Sequence, residues 1–487
     1  MKIPWLASAI AKFSQQPIKT LLAEKQPAPT KSLSARRSTS DRLAASFKLQ
    51  NEAMSPRLLR RSLQAMQAVI EPSISETEGG RRAEQLAAIY ASSTRERKLD
   101  YWRLMSEQFG VDKTKAELER LRFEAALGTT DELAAEVRYR RATVSPRRRL
   151  LQRFANFQKG LQFLIEMRAE LQSSLKADKQ LTALDLELEY MLATWCDVSF
   201  LELQSINWDS PASLIERLIK YEAVHDIRSW SDVKKRLESD RRCYGFFHPR
   251  IPGVPLIFIE VALMNSIPTS IIPVIDEERL LEDQRNASVA VFYSISNTQA
   301  GLRGVPFGDS LIKRVVEELR RDFPRLKTFV TLSPIPTYRT WLAKQTEELW
   351  DAIDQKLLKR FDATFKTHES RKDSFIQRSD ALDIASATSS PEIDLLKELH
   401  LRFAARFLQQ LDGDREPRDP VARFHLGNGA RIEQLNWQAD PSPKGMKQSY
   451  GIMVNYLYDL KKIDRARAGL AAGKVAMSAE IEHLGKD

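Results

Sequence analysis

An α+β protein is predicted, an all-helical N-terminal domain followed by a mixed α/β domain, and three observations predict it. Apolar residues recur at helical spacing from Ser55 to about Trp195, as in Leu59, Leu63, Met66 and Ile70 and again in Leu150, Phe154, Phe157, Leu161 and Leu164. After Trp195 the period changes to short alternating or β-branched runs punctuated by proline and glycine. Between Ser288 and Leu332 a strand, a glycine-containing loop, a helix and a second strand follow one another, which is the order of an α/β unit. At roughly 150 residues per domain, the 487 residues make two to four domains, and 43% hydrophobic with 29% charged residues is a globular composition.

Taken in order, residues 1–50 read as a disordered basic tail. Lys2, Lys12, Lys19, Lys25, Lys31, Arg36, Arg37 and Arg42 face only Glu24 and Asp41 up to residue 45, in a stretch rich in Ser and Ala. Residues 51–197 read as a helical domain with Arg-rich, Glu-alternating solvated faces. In it Gly128-Thr129-Thr130-Asp131 is a turn, and Ser145-Pro146 supplies a cap and a first-turn proline. Residues 198–487 carry the sheet. Strands are expected at Phe200–Ile206, Cys243–Phe247, Leu256–Leu263, Ser288–Ser296 and Lys327–Leu332, a helical insertion over Tyr338–Leu411, and further strands at Ala430–Trp437 and Gly451–Tyr458.

Several classes are excluded. Two cysteines, Cys196 and Cys243, cannot make a disulfide framework or a four-cysteine zinc site. The most apolar stretch, Ile251 to Ile275, is interrupted by Glu260, Asn265 and four prolines, so no membrane span is expected. Charge of 75 − 65 = +10 favours anionic partners, yet no motif interleaves aromatic with basic residues as nucleic-acid binders do. A cytoplasmic location is expected. The basic, Ser-rich start leaves a mitochondrial transit peptide as the alternative, and the Leu484-Gly485-Lys486-Asp487 ending is not the peroxisomal Ser-Lys-Leu address.

Three constellations could carry chemistry. The run Gln299 to Gly308 lies between a strand and a helix beginning near Asp309; it reads either as a plain turn or as a phosphate cradle, where glycines admit a phosphate and a helix start favours an anion. It has neither the phosphate-loop nor the complete dinucleotide signature, so an acyl-carrying, phosphate-bearing cofactor remains. His425, in Phe424-His425-Leu426-Gly427-Asn428-Gly429, is either structural or an imidazole freed by its glycines to transfer a proton. Ser333, in Leu332-Ser333-Pro334-Ile335-Pro336, is either a turn residue or a rigidly presented hydroxyl. The other histidines, at 225, 248, 368, 400 and 483, have no ligand spacing, and no metal is expected.

The glycine loop, with Arg303-Gly304 and Gly308, is similar to the pyrophosphate turn of the GNAT acetyltransferase superfamily. Arg241-Arg242-Cys243-Tyr244, Phe292-Tyr293-Ser294-Ile295-Ser296, Leu311-Ile312-Lys313-Arg314-Val315-Val316, Leu332 to Pro336, Asn436-Trp437 and Asn455-Tyr456-Leu457-Tyr458 together resemble the malonyl-CoA decarboxylase family. The match runs from about residue 55 to 460. This resemblance implies a helical domain used in homo-oligomerisation, as a dimer or tetramer, and a GNAT-like catalytic domain converting malonyl-CoA to acetyl-CoA and carbon dioxide without metal or organic cofactor. It further implies Ser333 and His425 as the catalytic pair, Tyr458 beside them, and a substrate loop of Arg303, Gly304, Val305, Pro306, Phe307, Gly308 and Asp309. Some family members have a glutamate where this chain has Pro306, and Glu260 is a candidate to replace that carboxylate. A GNAT-type acyltransferase and a basic helical nucleic-acid binder are the alternative readings.

Overall fold

The structure is a computed structural model, and it describes residues 37–222, 224–276, 278, 283–305, 307, 311–351, 353–366, 370–382 and 390–486. Two compact units are formed: Met1–Asp197 with His248–Pro252 and Gln299–Pro306, and Val198–Phe247 with Gly253–Thr298 and Phe307–Asp487. Residues 198–487 read from the sequence as one domain. Instead two short segments, one of them the start of the glycine loop, pack with the helices.

The first unit is helical: α1 (Thr39–Ala44), α2 (Pro56–Val69), α3 (Glu76–Ala91), α4 (Arg95–Glu107), α5 (Lys113–Ala126), α6 (Glu132–Ala142), α7 (Pro146–Ala155), α8 (Gly160–Gln172) and α9 (Thr182–Trp195). Their apolar stripes meet in a core containing Leu59, Met66, Trp102, Phe154 and Leu164, as the helical spacing predicts. The sequence reads as a disordered tail over residues 1–50, of which the structure describes 37–50. Ser38 and Asp41 form a capping box at the start of α1, and Arg42 is buried, donating to both Asp100 oxygens at 2.5 and 2.7 Å. Residues 1–36 lie outside the described residues. Gly128 makes the α5–α6 turn at φ 76°, a region that favours glycine. Ser145 precedes Pro146 at the start of α7, but its hydroxyl donates to Glu187 at 2.7 Å instead of capping.

The second unit is built on one mixed sheet. Its elements are β1 (Glu202–Ile206), α10 (Ala212–Tyr221), α11 (Trp230–Arg236), β2 (Arg241–Phe247), β3 (Pro255–Met264), β4 (Val289–Asn297), α12 (Leu311–Asp322), β5 (Thr328–Thr331) and β6 (Ser333–Pro334). Helices α13 (Tyr338–Ala343), α14 (Gln355–Phe365), α15 (Arg371–Asp380), α16 (Pro391–Gln409) and α17 (Pro420–Gly427) follow, then β7 (Arg431–Asn436) and β8 (Met453–Leu457). Strand order is β1-β2-β3-β4-β5-β8-β6, with β7 also on β8.

β3 is buried along its whole length between β2 and β4, which is why its sequence is a near-continuous apolar run. β4 and β5 pair in parallel, Val289 with Thr328 through Phe292 with Thr331, and this demands a crossover. Helix α12 supplies it, burying Leu311, Ile312, Val315, Val316 and Leu319 on one face. β8 enters antiparallel against β5, β6 and β7. That insertion pairs Ser333 with Val454 and sets Tyr458 against Phe329, whose carbonyl accepts the Tyr458 N–H at 2.9 Å. Within the helical insertion His400 is fully buried, held by Tyr338 Oη at 3.0 Å and Ser379 Oγ at 2.8 Å, and burial pushes its imidazole down to about 3. It is a structural histidine.

Candidate active site

Ser333 opens β6 and pairs with Val454 of β8. Two residues before it, Thr331 closes β5; alternation puts both side chains on one face, and Ser333 Oγ donates to Thr331 Oγ1 at 2.9 Å. Thr331 Oγ1 also accepts the Tyr456 N–H at 3.1 Å. Asn455 Nδ2 donates to Thr331 O at 2.8 Å, while Asn455 Oδ1 accepts from Asn436 Nδ2 at 2.6 Å. The strand ends around Ser333 are therefore pinned from both sides.

His425 comes from α17. Its Nε2 lies 3.1 Å from Ser333 Oγ and its Nδ1 lies 2.8 Å from Tyr458 Oη. The Ser333 proton is committed to Thr331, so Nε2 carries a hydrogen that Ser333 accepts, and Nδ1 accepts from the tyrosine hydroxyl. Tyr456 stacks on the imidazole at 4.6 Å between centroids. Burial pushes His425 down to about 3, so the ring is neutral at neutral pH. Burial also pushes the Tyr458 hydroxyl upward, keeping it a donor. A neutral imidazole between two hydroxyls can give a proton from Nε2 while Tyr458 steadies the opposite nitrogen.

The glycines around His425 suggested a flexible approach to a strand. They do not make one: His425 is on a helix whose start is fixed by Asp419 and the first-turn Pro420. Asp419 Oδ1 accepts the Val421 and Ala422 N–H groups at 2.9 and 3.0 Å, and Oδ2 accepts the Thr337 hydroxyl at 2.7 Å. Thr337 lies four residues after Ser333. One carboxylate thus ties the histidine helix to the chain leaving the serine strand.

Of the expected substrate loop, Arg303 and Gly304 are exposed and Val305 is buried, and all three belong to the first unit. Phe307 belongs to the second unit, where its carbonyl accepts the Val198 N–H at 2.9 Å. Pro306, Gly308 and Asp309 lie outside the described residues. Among the described residues no group of three or more His, Cys, Asp or Glu is placed to hold a metal, and none of the helices is long and apolar enough to cross a membrane.

Residues 109–196 match the malonyl-CoA decarboxylase N-terminal domain and residues 199–487 the malonyl-CoA decarboxylase C-terminal domain. The chain belongs to the malonyl-CoA decarboxylase family. A relative from the goose Anser anser anser, named a mitochondrial malonyl-CoA decarboxylase, is 37% identical over 341 residues, 68% of this chain and 67% of that one. The Rattus norvegicus protein of the same name is 34% identical over 355 residues, 68% of this chain and 69% of its own. The crystal structure of malonyl-CoA decarboxylase from Rhodopseudomonas palustris is 37% identical with a TM-score of 0.75, covering 87% of this chain and 99% of that chain. The one from Agrobacterium vitis is 36% identical at 0.74, covering 88% and 100%.

The family resemblance named Ser333, His425 and Tyr458, and the fold brings these three together. Thr331, Asn455 and Asp419 were not singled out. Thr331 was findable as the same-face residue two before Ser333, and Asp419-Pro420 as a helix start. Glu260, the candidate to replace the family's loop glutamate, sits instead in a buried charged group. Arg236 donates to Glu260 Oε2 at 2.6 Å and to Asp232 at 2.9 Å, with Glu222 at 4.0 Å. Burial pushes Glu260 up to about 8, against the pull of Arg236, since one guanidinium is shared among three carboxylates. Its hydrogen-bond partner is Arg236, and neither Ser333 nor His425 touches it among the described residues.

Proposed function

We propose that Ser333, His425 and Tyr458 are the working groups of this family member. The activity is decarboxylation of malonyl-CoA to acetyl-CoA and carbon dioxide, a carboxy-lyase reaction. When the bond to the terminal carboxylate breaks, its electron pair passes to the thioester as an enolate and carbon dioxide leaves; the carbon then takes a proton. The observation that supports this reading is the chain Tyr458 Oη, His425, Ser333 Oγ, Thr331 Oγ1, with steps of 2.8, 3.1 and 2.9 Å. His425 supplies the proton from Nε2, directly or through Ser333, and Tyr458 stabilises the electron-richer ring until solvent reprotonates it. With substrate bound, Ser333 turns its one hydrogen from Thr331 to the carboxylate or the enolate oxygen and so orients it.

The loop from Arg303 to Asp309 holds the coenzyme A phosphates in this proposal, and no metal or further cofactor takes part. We further propose a homo-oligomer through the helical unit, supported by the exposed Leu118 and Leu121 on α5 and Leu133 and Val137 on α6. The location proposed is cytoplasmic, with mitochondrial as the alternative, since the goose and rat relatives are named mitochondrial. Incubating purified protein with malonyl-CoA alone tests the activity. Acetyl-CoA should form with no acceptor present; an acyltransferase of similar fold would leave malonyl-CoA intact until an amine was added.

A further inference from the structure

We propose that Arg168, on helix α8 of the helical unit, is a positioning residue for the coenzyme A loop, holding two of its carbonyls so that the loop presents the Gly304 N–H to phosphate. The proposal rests on the reading that the loop from Arg303 binds those phosphates. Arg168 is 1% exposed. Its Nη1 donates to Gly301 O at 2.9 Å and to Arg303 O at 3.0 Å. Its Nε donates to Asp185 at 2.9 Å and its Nη2 to Glu189 at 2.6 Å, both on α9. Four acceptors on two segments converge on one planar fork, a task for which a lysine has the wrong shape.

The backbone consequence follows from the trans peptide, whose C=O and N–H point in opposite directions. With Arg303 O turned in toward Arg168, the Gly304 N–H on the same peptide faces outward. Gly304 is exposed and adopts φ 81° as the glycine of a turn that the Val305 N–H closes on Leu302 O at 3.0 Å, so its own N–H is the one the turn leaves for an anion. The loop is also seated closely on α8. A Cβ on Gly301 would come within 1.8 Å of Ile165 O, a backbone atom that cannot yield cheaply. Helix α8 therefore shapes the start of the loop, from Gly301 to Gly304.

Two variants test this, Arg168→Lys and Gly301→Ala, each confirmed folded by circular dichroism; if the buried lysine prevents folding, the glycine variant carries the test. Steady-state kinetics are compared on malonyl-CoA and on malonyl-pantetheine, which lacks the phosphates. Wild type should have a lower KM for malonyl-CoA. In both variants KM for malonyl-CoA should rise about ten-fold, with kcat within about three-fold and KM for malonyl-pantetheine unchanged, because the lost contacts are shared by ground and transition states. A wild-type preference retained in the folded variants would overturn the role of Arg168 alone. A wild type taking both thioesters equally well would overturn the loop reading, and the proposal with it.

Discussion

Asp419→Ala is the perturbation that most clearly separates positioning from chemistry. Asp419 is 1% exposed and never contacts Ser333 or His425, yet it caps α17 through two N–H groups and accepts the Thr337 hydroxyl. Losing the cap costs about 0.5–2 kcal/mol. Stranding the part-buried Thr337 hydroxyl costs about 1–3 kcal/mol more. Burial raises the Asp419 carboxyl above its usual range, so relief of that desolvation returns part of the sum. A net loss of about 2–3 kcal/mol is expected, measured by urea unfolding. The kinetic effect is separate: His425 lies six residues along α17 and works across 3.1 Å to Ser333, and a displacement of about 1 Å can cost roughly 10²-fold. We expect kcat per folded molecule to fall about 10- to 10²-fold with KM little changed. Asp419→Asn keeps the capping oxygen and offers Thr337 an N–H, so it should recover most of both losses. Full kcat in Asp419→Ala, assayed well below its Tm, would refute the idea that this carboxylate registers the helix against the serine strand.

Tyr458→Phe removes the donor to His425 Nδ1 and should lower kcat per folded molecule about ten-fold or more while costing about 1–3 kcal/mol of stability for the buried nitrogen left unpaired, read by turnover beside a melting curve. Because His425 sits near 3 in the folded protein, kcat should show no inflection near the ordinary histidine value of about 6.5; one appearing there would mean that a charged imidazole takes part. His400 and His225 are likewise pushed down to about 3 by burial. The unfolded chain therefore binds more protons between 3 and 6.5, and stability should fall as pH drops below about 6.5. Glu260 has the opposite sign. Raised to about 8 from an ordinary 4.5, its contribution is complete below 4.5 and is lost as pH rises through 8, so Glu260→Gln should flatten the decline of Tm between pH 6 and 8.5.

What the sequence made legible is what depends on local period. The helical spacing of α2, α7 and α8 and the β-branched runs of β4 and β5 report burial on one or both faces, and burial is a property of neighbouring residues. The capping box at Ser38 and the Asp419-Pro420 helix start were also local, but the first stood in a Ser-rich stretch that reads as a disordered tail and the second beside glycines that read as an approach to a strand. Composition masked position there. The ties that hold the site were out of reach for a different reason. Arg168 meets Arg303 across 135 residues of chain and Ser333 meets His425 across 92, and no spacing rule connects such distances. The serine and histidine were named through the family resemblance. Arg168 and Asp419, which neither bind nor react, left no comparable mark.

In the proposed mechanism His425 delivers the proton that completes acetyl-CoA. The most direct test of this step is the kcat of His425→Asn on malonyl-CoA, measured with a melting curve on the same preparation. The prediction is a fall of roughly 10²-fold or more in kcat per folded molecule, the scale of a positioned general acid, the melting curve setting the assay temperature well below Tm; turnover within a factor of a few of wild type would contradict it.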